Sequence, residues 1–245
     1  MPPNIVRSMK QSHNIALILA GGTGRRMGTS LPKQFMEVDG ETVLLHTLRA
    51  FQQHPLIHDI CLVCMPQWEQ FVRSECQRGG ISKLNDIVAA GPSCYESARS
   101  GIEHLARTAN VPETIVLVHD VVRPLITQDI ISRNIAVCLT HGNAVTALPS
   151  HEAYLRMSDL STVDGLLPRE ALMRAQTPHT FPLATLQQML RMADERGIRQ
   201  TQSIITLAGE LGIAPLHIAL GDLRNFKITE QSDILIYRAL KTLEE

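Results

Sequence analysis

Short apolar runs alternate along the chain with segments whose apolar residues recur every three or four positions. The first run, Ile15–Ala20, is short and continuous, which is typical of a strand buried on both faces of a sheet. The same pattern predicts strands within 59–65, 86–91, 113–120 and 143–149, and helices within 42–54, 68–80, 94–107 and 127–142. This order predicts an α/β fold with a mostly parallel twisted sheet flanked by helices.

The pattern becomes less regular after the fifth predicted strand. Residues 150–181 are predicted to be irregular, and Ser150–Leu167 is predicted to be an arm that leaves the domain for a partner subunit. Helices are then predicted within 183–197, 202–212 and 232–243, and late strands within 215–220 and 226–229. With no repeat or long linker, we predict one domain over residues 1–245, with 1–13 as a disordered lead-in.

Composition narrows the class of protein. The net charge of -1 disfavours a broad nucleic-acid surface, and no apolar run approaches the roughly 18 residues expected of a membrane span. The five scattered cysteines favour reduced thiols and a cytoplasmic location. Cys61 and Cys64 lie three apart on a predicted strand, so they should point to opposite faces and behave as buried structural thiols rather than as a metal site.

Glycines and cations follow the first predicted strand: Gly21, Gly22, Gly24, Arg25, Arg26 and Lys33. Glycines let backbone N–H groups approach phosphate oxygens, and fixed cations add charge, so the loop indicates phosphate binding. A tight turn with solvated arginines is the alternative. The spacing does not fit a P-loop, and Met27 occupies the third glycine position of a dinucleotide fingerprint. An NAD-linked oxidoreductase therefore remains only a minor alternative.

Four motifs together carry a resemblance. The stretches "LAGGTGRRMG…PKQF", "VHDVVRP", "PREALMRAQTPHTF" and "RNFKIT" occur in an order that resembles the polyol-phosphate cytidylyltransferases. These are the 2-C-methyl-D-erythritol 4-phosphate and ribitol 5-phosphate enzymes, and "LAGG" and "MPQWEQF" look closer to the ribitol branch. The resemblance implies a Rossmann-like nucleotidyltransferase fold that transfers CMP from CTP to a polyol phosphate and releases pyrophosphate.

The resemblance also implies roles for individual residues on the nucleotide side. It assigns catalysis to Arg26, Lys33 and Lys227, and nucleotide binding to Ala20, Gly21, Gly22, Gly24, Arg25, Gly91, Ser97 and Asp120. Asp120 would also lie near a Mg²⁺ ion that organises the triphosphate. We expect Lys33 to be an exposed cation. Asp120 could instead cap the turn after its strand, Lys227 could be a surface lysine, and Arg123 more often ties down that loop.

On the acceptor side, the resemblance assigns polyol-phosphate binding to Glu152, Arg169, Thr177 and Thr201. A homodimer is implied, in which the arm of one subunit reaches over the active site of its neighbour. Thr177 could instead be only part of a turn, and Glu152 a solvated carboxylate.

Three departures separate this chain from the resembling pattern. Ala90 replaces a glycine and Cys94 stands where an arginine is expected, although Ser97 is kept. Gln202 and Ser203 replace an acidic pair. In the arm, Glu152-Ala153 stands where Asp-Thr is expected. These changes affect the predicted base and acceptor sites, so a non-catalytic nucleotide-binding homologue is kept as an alternative to an active transferase.

Overall fold

Strands and helices alternate through the first part of the structure, as the apolar pattern predicts. The computed structural model describes residues 12–22 and 31–242. Its first elements are β1 His13–Ala20, β2 Glu37–Val38, β3 Glu41–Thr42, α1 Val43–Gln53, β4 Asp59–Cys64, α2 Glu69–Arg78, β5 Leu84–Ala89, α3 Cys94–Thr108 and β6 Thr114–Asp120. There follow α4 Gln128–His141, β7 Ala144–Pro149, β8 Tyr154–Arg156, β9 Gly165–Leu167, β10 Met173–Pro182, α5 Leu183–Glu195, α6 Ile204–Glu210, β11 Ile218–Leu220 and α7 Gln231–Thr242.

A seven-stranded sheet forms the centre of the described chain, in the order β11-β7-β10-β6-β1-β4-β5. Strand β1 lies between β6 and β4 and runs parallel to both. Strand β10 is antiparallel to its neighbours β6 and β7. The predicted mostly parallel α/β sheet is therefore confirmed, and the carboxyl ends of β1, β4, β5 and β6 meet at one edge. In sheets of this kind ligands bind outside that edge.

Helices cover both faces of the sheet, and successive side chains of β1 point alternately into the two cores that result. Ile15 and Leu17 face a core shared with α3, α5 and α6, whereas Ala16 and Ile18 face a core shared with α1, α2, α4 and α7. Since both faces of β1 are buried, its sequence is a continuous apolar run rather than an alternating one. Within the described residues, no helix is long and apolar enough to cross a membrane.

Local signals in the sequence place the ends of α4 and the faces of β4. The Thr127 hydroxyl accepts a hydrogen bond from Ile130 N–H, and Gly142 ends α4 with φ of 84°. Cys61 and Cys64 pack into the cores on opposite faces of the sheet. Burial raises the pKa of the Cys61 thiol to about 12 and that of Cys64 to about 11, so both are protonated structural thiols.

Two late segments differ from the prediction. Met173–Pro182 is a strand, although it lies in the stretch predicted to be irregular, because its buried polar side chains hide the apolar pattern of a strand. For example, the Thr180 hydroxyl donates to Asn134 Oδ1. The predicted strand at 226–229 is absent because loops take its backbone groups: Ile228 N–H donates to Val122 O, and Ile228 O accepts from Lys33 Nζ.

A small hairpin lies between β7 and β10. Strands β8 and β9 pair antiparallel, with Tyr154 opposite Leu167. The large apolar side chains of this segment are exposed: Leu155, Met157, Leu160, Val163 and Leu166. The hairpin occupies the segment predicted to be an arm, and its contact with a partner stays a prediction.

We expect Gly101→Ala to lower the free energy of unfolding by about 1–2 kcal/mol, because overpacking a core outweighs the gain in helix propensity. A Cβ at this position of α3 would lie 2.5 Å from Leu17 Cδ1 and 2.9 Å from Val63 Cγ2. Val63 is β-branched and buried, so it has little room to turn away. Urea unfolding followed by circular dichroism measures the change.

Gly209→Ala in α6 is the matched control, because a Cβ there meets nothing within 4 Å. It should leave stability unchanged or raise it by up to about 1 kcal/mol. Equal effects of the two substitutions would contradict the close packing of α3 on β1 and β4.

Candidate active site

A cavity of about 350 Å³ opens at the carboxyl edge of the parallel strands. Its lining comes from the ends of β1 and β6, the start of α3 and the segments that follow β1, precede α3, follow β6 and precede α7: Leu19, Gly21, Gly22, Lys33, Gln34, Gly91, Pro92, Ser93, Cys94, Ser97, Asp120, Val121, Val122, Lys227 and Thr229. Volumes of this order suit small-molecule ligands. Seven of the residues that the sequence predicted for the nucleotide or for catalysis therefore meet in one place: Gly21, Gly22, Lys33, Gly91, Ser97, Asp120 and Lys227.

Close backbone packing explains two of the glycines in the wall. A Cβ on Gly21 would lie 2.6 Å from the Ala90 Cβ, and one on Gly91 would lie 2.6 Å from the Glu96 Cβ. Real Cβ atoms do not approach that closely. The loop after β1 can therefore touch Ala90 only because Gly21 lacks a side chain, and the loop before α3 can fold onto the first turn of α3 only because Gly91 lacks one. By contrast, a Cβ on Gly22 would meet nothing within 4 Å.

The Gln34 side chain holds the glycine loop by two hydrogen bonds, a role that the sequence analysis did not predict. Its Nε2 donates to Ala20 O at 2.9 Å and to Gly22 O at 2.8 Å. Ala20 is itself buried and does not line the cavity. The available signal was the position of Gln34 within "PKQF", directly beside the predicted catalytic lysine.

The expectation that Lys33 is exposed is wrong. Lys33 is buried at 9% relative exposure, and its Nζ donates to Ile228 O at 2.7 Å. It lies in a short 3-10 turn, Lys33–Phe35, whose Phe35 ring packs against Trp68 and Phe71 with centroids 4.7 Å and 5.1 Å away. This aromatic cluster holds the lysine against the cavity wall.

Asp120 and Lys227 form the charged centre of the cavity. Lys227 Nζ lies 2.9 Å from Asp120 Oδ2, and Arg123 Nε lies 3.5 Å from the same oxygen. Burial acts to raise the pKa of Asp120, but the charges of Lys227 and Arg123 outweigh it and lower this pKa to about 2. Asp120 is therefore an anion at neutral pH, held between two cations at the end of β6.

Thr177 contacts Asp120 from behind rather than lining the cavity. Its hydroxyl accepts from Asp120 N–H at 3.1 Å and lies 3.0 Å from His119 Nδ1. Asn225 Nδ2 donates to Thr177 O at 2.8 Å, and Asn225 O accepts from Arg123 Nη1 at 2.8 Å. The motifs "VHDVVRP", "TPHTF" and "RNFKIT" are thus joined by buried hydrogen bonds, and a substrate contact of Thr177 stays a prediction.

The start of α3 supplies the opposite wall. Ser93 caps the helix by accepting from Glu96 N–H, and the Ser97 hydroxyl donates to Gly91 O at 3.2 Å. Burial and the nearby Asp120 raise the pKa of the Cys94 thiol, which Lys227 opposes. Cys94 therefore presents a neutral group where the sequence led us to expect an arginine.

The other three predicted acceptor residues also lie outside this cavity. Glu152 is exposed before β8, Arg169 is exposed and lies 3.4 Å from Glu170 Oε1, and the Thr201 hydroxyl donates to Glu210 Oε1 at 3.3 Å. Their roles stay predictions. Gly24, Arg25 and Arg26 lie outside the described residues.

Comparison with known proteins gives similarity along nearly the whole chain. The 2-C-methyl-D-erythritol 4-phosphate cytidylyltransferase family profile matches residues 14–242. A ribitol-5-phosphate cytidylyltransferase of Streptococcus agalactiae serotype Ia is 33% identical over 233 residues, which cover 95% of this chain and 97% of that protein. A 2-C-methyl-D-erythritol 4-phosphate cytidylyltransferase of Syntrophus aciditrophicus is 33% identical over 232 residues, which cover 94% and 97%.

Solved structures support the same fold. The crystal structure of 4-diphosphocytidyl-2C-methyl-D-erythritol synthase from Anaerococcus prevotii superposes with a TM-score of 0.79 at 22% sequence identity, covering 96% of this chain and 99% of that chain. The predicted Rossmann-like nucleotidyltransferase architecture is thereby confirmed.

Buried histidines beside the cavity should make stability depend on pH. Burial lowers the pKa of His119 to about 3 and that of His179 to about 4. The unfolded chain takes up these protons near the ordinary pKa of about 6.5, so stability is complete above that pH and falls as pH drops towards the folded values. Between pH 7 and pH 5 each histidine should reduce the free energy of unfolding by about 2 kcal/mol.

Urea unfolding at pH 7, 6 and 5 measures this dependence. His119→Gln should flatten it, whereas His151→Gln, a change at an exposed position, should leave it as in the unmodified protein. Identical pH dependence in all three proteins would contradict a buried neutral His119.

Proposed function

Because the chain belongs to the 2-C-methyl-D-erythritol 4-phosphate cytidylyltransferase family, we propose that it is a CTP-dependent enzyme that transfers CMP to a polyol phosphate. The observation that carries the proposal is the convergence of Lys33, Lys227 and Asp120 on one glycine-walled cavity. Backbone donors and cations around a small cavity suit a ligand with several phosphates.

The reaction makes and breaks one bond each at the α-phosphorus of CTP. An oxygen of the acceptor phosphate attacks this phosphorus, and the bond to the oxygen that bridges to the β-phosphate breaks. The products are a CDP-polyol and pyrophosphate, and the chain supplies no covalent nucleophile. Lys33 and Lys227 would neutralise the charge that develops on the α-phosphate and on the leaving pyrophosphate.

Asp120 is the proposed protein ligand for Mg²⁺. Among the described residues no group of three His, Cys, Asp or Glu side chains could hold a metal ion. In triphosphate sites, however, Mg²⁺ commonly uses one or two carboxylates together with phosphate oxygens and water. Asp120 fits because it is ionised and lines the cavity, so its carboxylate would hold the ion. When bound, Mg²⁺ would neutralise triphosphate charge.

Ribitol 5-phosphate is the proposed acceptor. The support is the sequence of "LAGG" and "MPQWEQF", which look closer to the ribitol branch. Overall identity does not separate the two acceptors, since relatives of both kinds are 33% identical. Methylerythritol 4-phosphate is therefore the necessary comparison in any assay.

A homodimer is proposed because the hairpin offers an unburied apolar surface. Leu160 is 95% exposed and Leu166 is 72% exposed, and Leu155, the cross-strand partner of Leu166, is exposed as well, so the hairpin carries a group of exposed leucines. Glu152 and Arg169 flank this hairpin but do not line the cavity of their own chain. In a dimer the hairpin could place them beside the cavity of the partner, with the exposed leucines buried between the subunits.

A cytoplasmic location is proposed on the state of the thiols. All five cysteines, Cys61, Cys64, Cys76, Cys94 and Cys138, are free, and four of them are buried. This is typical of a protein made in a reducing compartment.

The central test is pyrophosphate release from purified protein with Mg²⁺ and each of the four nucleoside triphosphates. We expect release with CTP and ribitol 5-phosphate, slower release with methylerythritol 4-phosphate, and none without an acceptor. CTP binding by calorimetry with no turnover on any acceptor would favour the non-catalytic homologue. Tight nicotinamide-nucleotide binding would favour the oxidoreductase instead.

Lys33→Ala tests the role of this lysine in the same assay. Turnover should fall by about a hundredfold or more, the usual order for losing one charge-stabilising group. Lys241→Ala is the matched control, because Lys241 pairs with Asp39 at the surface. Equal turnover of the two variants would contradict a role for Lys33 in catalysis.

Leu160→Asp combined with Leu166→Asp should convert a dimer into a monomer, since charges would lie in the proposed contact. Light scattering after size exclusion measures the mass. The matched control is Leu235→Asp, which replaces an exposed leucine on α7 and should leave the mass unchanged. An unmodified protein that is monomeric at assay concentration would contradict the dimer.

A further inference from the structure

The segment that carries Lys227 has no strand to hold it. Residues 227–230 run as an extended loop between β11 and α7, and Lys227 and Thr229 both line the cavity. The Lys227 ammonium is part of the charged centre only while this loop keeps its position. What fixes the loop therefore decides where a candidate catalytic cation lies.

Two contacts fix the middle of the loop. Ile228 N–H donates to Val122 O at 2.8 Å, and Ile228 O accepts from the buried Lys33 Nζ at 2.7 Å. The Ile228 side chain is fully buried in the core beneath the sheet. These contacts tie residue 228 to the loop after β6 and to the turn that carries the second lysine.

A third contact, from Asp233, fixes the end of the loop. One carboxylate oxygen, Oδ2, accepts from Thr229 N–H at 2.6 Å, from the Thr229 hydroxyl at 2.8 Å and from Glu230 N–H at 2.9 Å. Burial acts to raise the pKa of Asp233, but these three donors and the charge of Lys33 outweigh it and lower this pKa. The group is thus ionised at neutral pH and lies within the electrostatic reach of Lys33.

Asp233 is in turn rigidly mounted. It belongs to the first turn of α7, whose Ile234 and Tyr237 side chains are buried in the same core as Ile228. The Tyr237 ring also contacts His46 of α1, with centroids 5.5 Å apart. The packing of α7 in the core therefore fixes the Asp233 carboxylate, and the hydrogen bonds to this carboxylate fix the loop.

We propose that Asp233 is a positioning residue that holds the 227–230 loop so that the Lys227 ammonium stays beside Asp120 in the cavity. Asp233 does not line the cavity and is not assigned a contact with substrate. The role deepens the proposed function, on which its activity readout rests. A second readout, the chemical reactivity of Lys227, does not depend on turnover.

The experiment compares Asp233→Ala, Asp233→Asn and Thr127→Ala. The last removes the side-chain cap at the start of α4, where the Thr127 hydroxyl accepts from Ile130 N–H, and serves as the control for general destabilisation. With CTP and the best acceptor, Asp233→Ala should lower kcat at least tenfold while KM for CTP changes less than threefold. Asp233→Asn should recover to within threefold of the unmodified protein, because the amide oxygen can accept the same hydrogen bonds.

Lysine acetylation is measured on the same proteins by peptide mass spectrometry. Lys83 is the internal reference, because its Nζ donates to His54 O away from the cavity. Release of the loop should raise the acetylation rate of Lys227 relative to Lys83 at least threefold in Asp233→Ala, but not in Thr127→Ala.

The outcomes separate the two proposals. If Asp233→Ala matches Thr127→Ala in both kcat and Lys227 acetylation, the positioning role is overturned. If the unmodified protein shows no turnover but Lys227 acetylation still rises in Asp233→Ala, the proposed function fails while the positioning of Lys227 stands. If kcat falls without a change in Lys227 acetylation, Asp233 acts by another route and the proposal is overturned.

Discussion

The ion pair between Asp120 and Lys227 is the interaction on which the site depends. It joins the end of β6 to a loop more than a hundred residues later, and its 2.9 Å contact lies where only 12% of the Asp120 side chain is exposed. Desolvation opposes a charge there, so the carboxylate is stable only with cations beside it. Loss of one partner would leave a buried charge, and this is why the surrounding loops are tied so closely to one another.

Buried polar side chains make those ties, and they explain why β10 does not look like a strand. Gln176 Nε2 donates to Asp222 O, Thr177 contacts Asp120, and Thr180 donates to Asn134 Oδ1. These three polar groups have partners elsewhere in the chain, which is the condition for burying them at low cost. A search for apolar spacing cannot detect such a strand, because many of its buried side chains are polar and are held by hydrogen bonds.

Several features were predictable because they depend on neighbours in sequence. The cap at Thr127, the left-handed Gly142 and the opposite faces of Cys61 and Cys64 follow from local geometry. The burial of Lys33 was not predictable, since its partner Ile228 lies 195 residues away. The role of Gln34 was equally hidden, because an amide beside a lysine carries no sign of which carbonyls it will reach.

The positions at which this chain departs from the family pattern change the charge of the cavity more than they change the local backbone structure. Ser203 stands where an acidic residue was expected, yet it caps α6 by accepting from Thr206 N–H, so the helix still begins there. The Ala90 Cβ packs against Gly21, and the two residues fit because Gly21 has no side chain. Cys94 is different, because a neutral thiol replaces an expected cation directly on the cavity wall.

Among the described residues, attraction of a triphosphate must therefore come mainly from Lys33 and Lys227, the two cations whose side chains line the cavity. Since the 227–230 loop connects both lysines, its position controls most of the positive potential that these residues offer to a nucleotide.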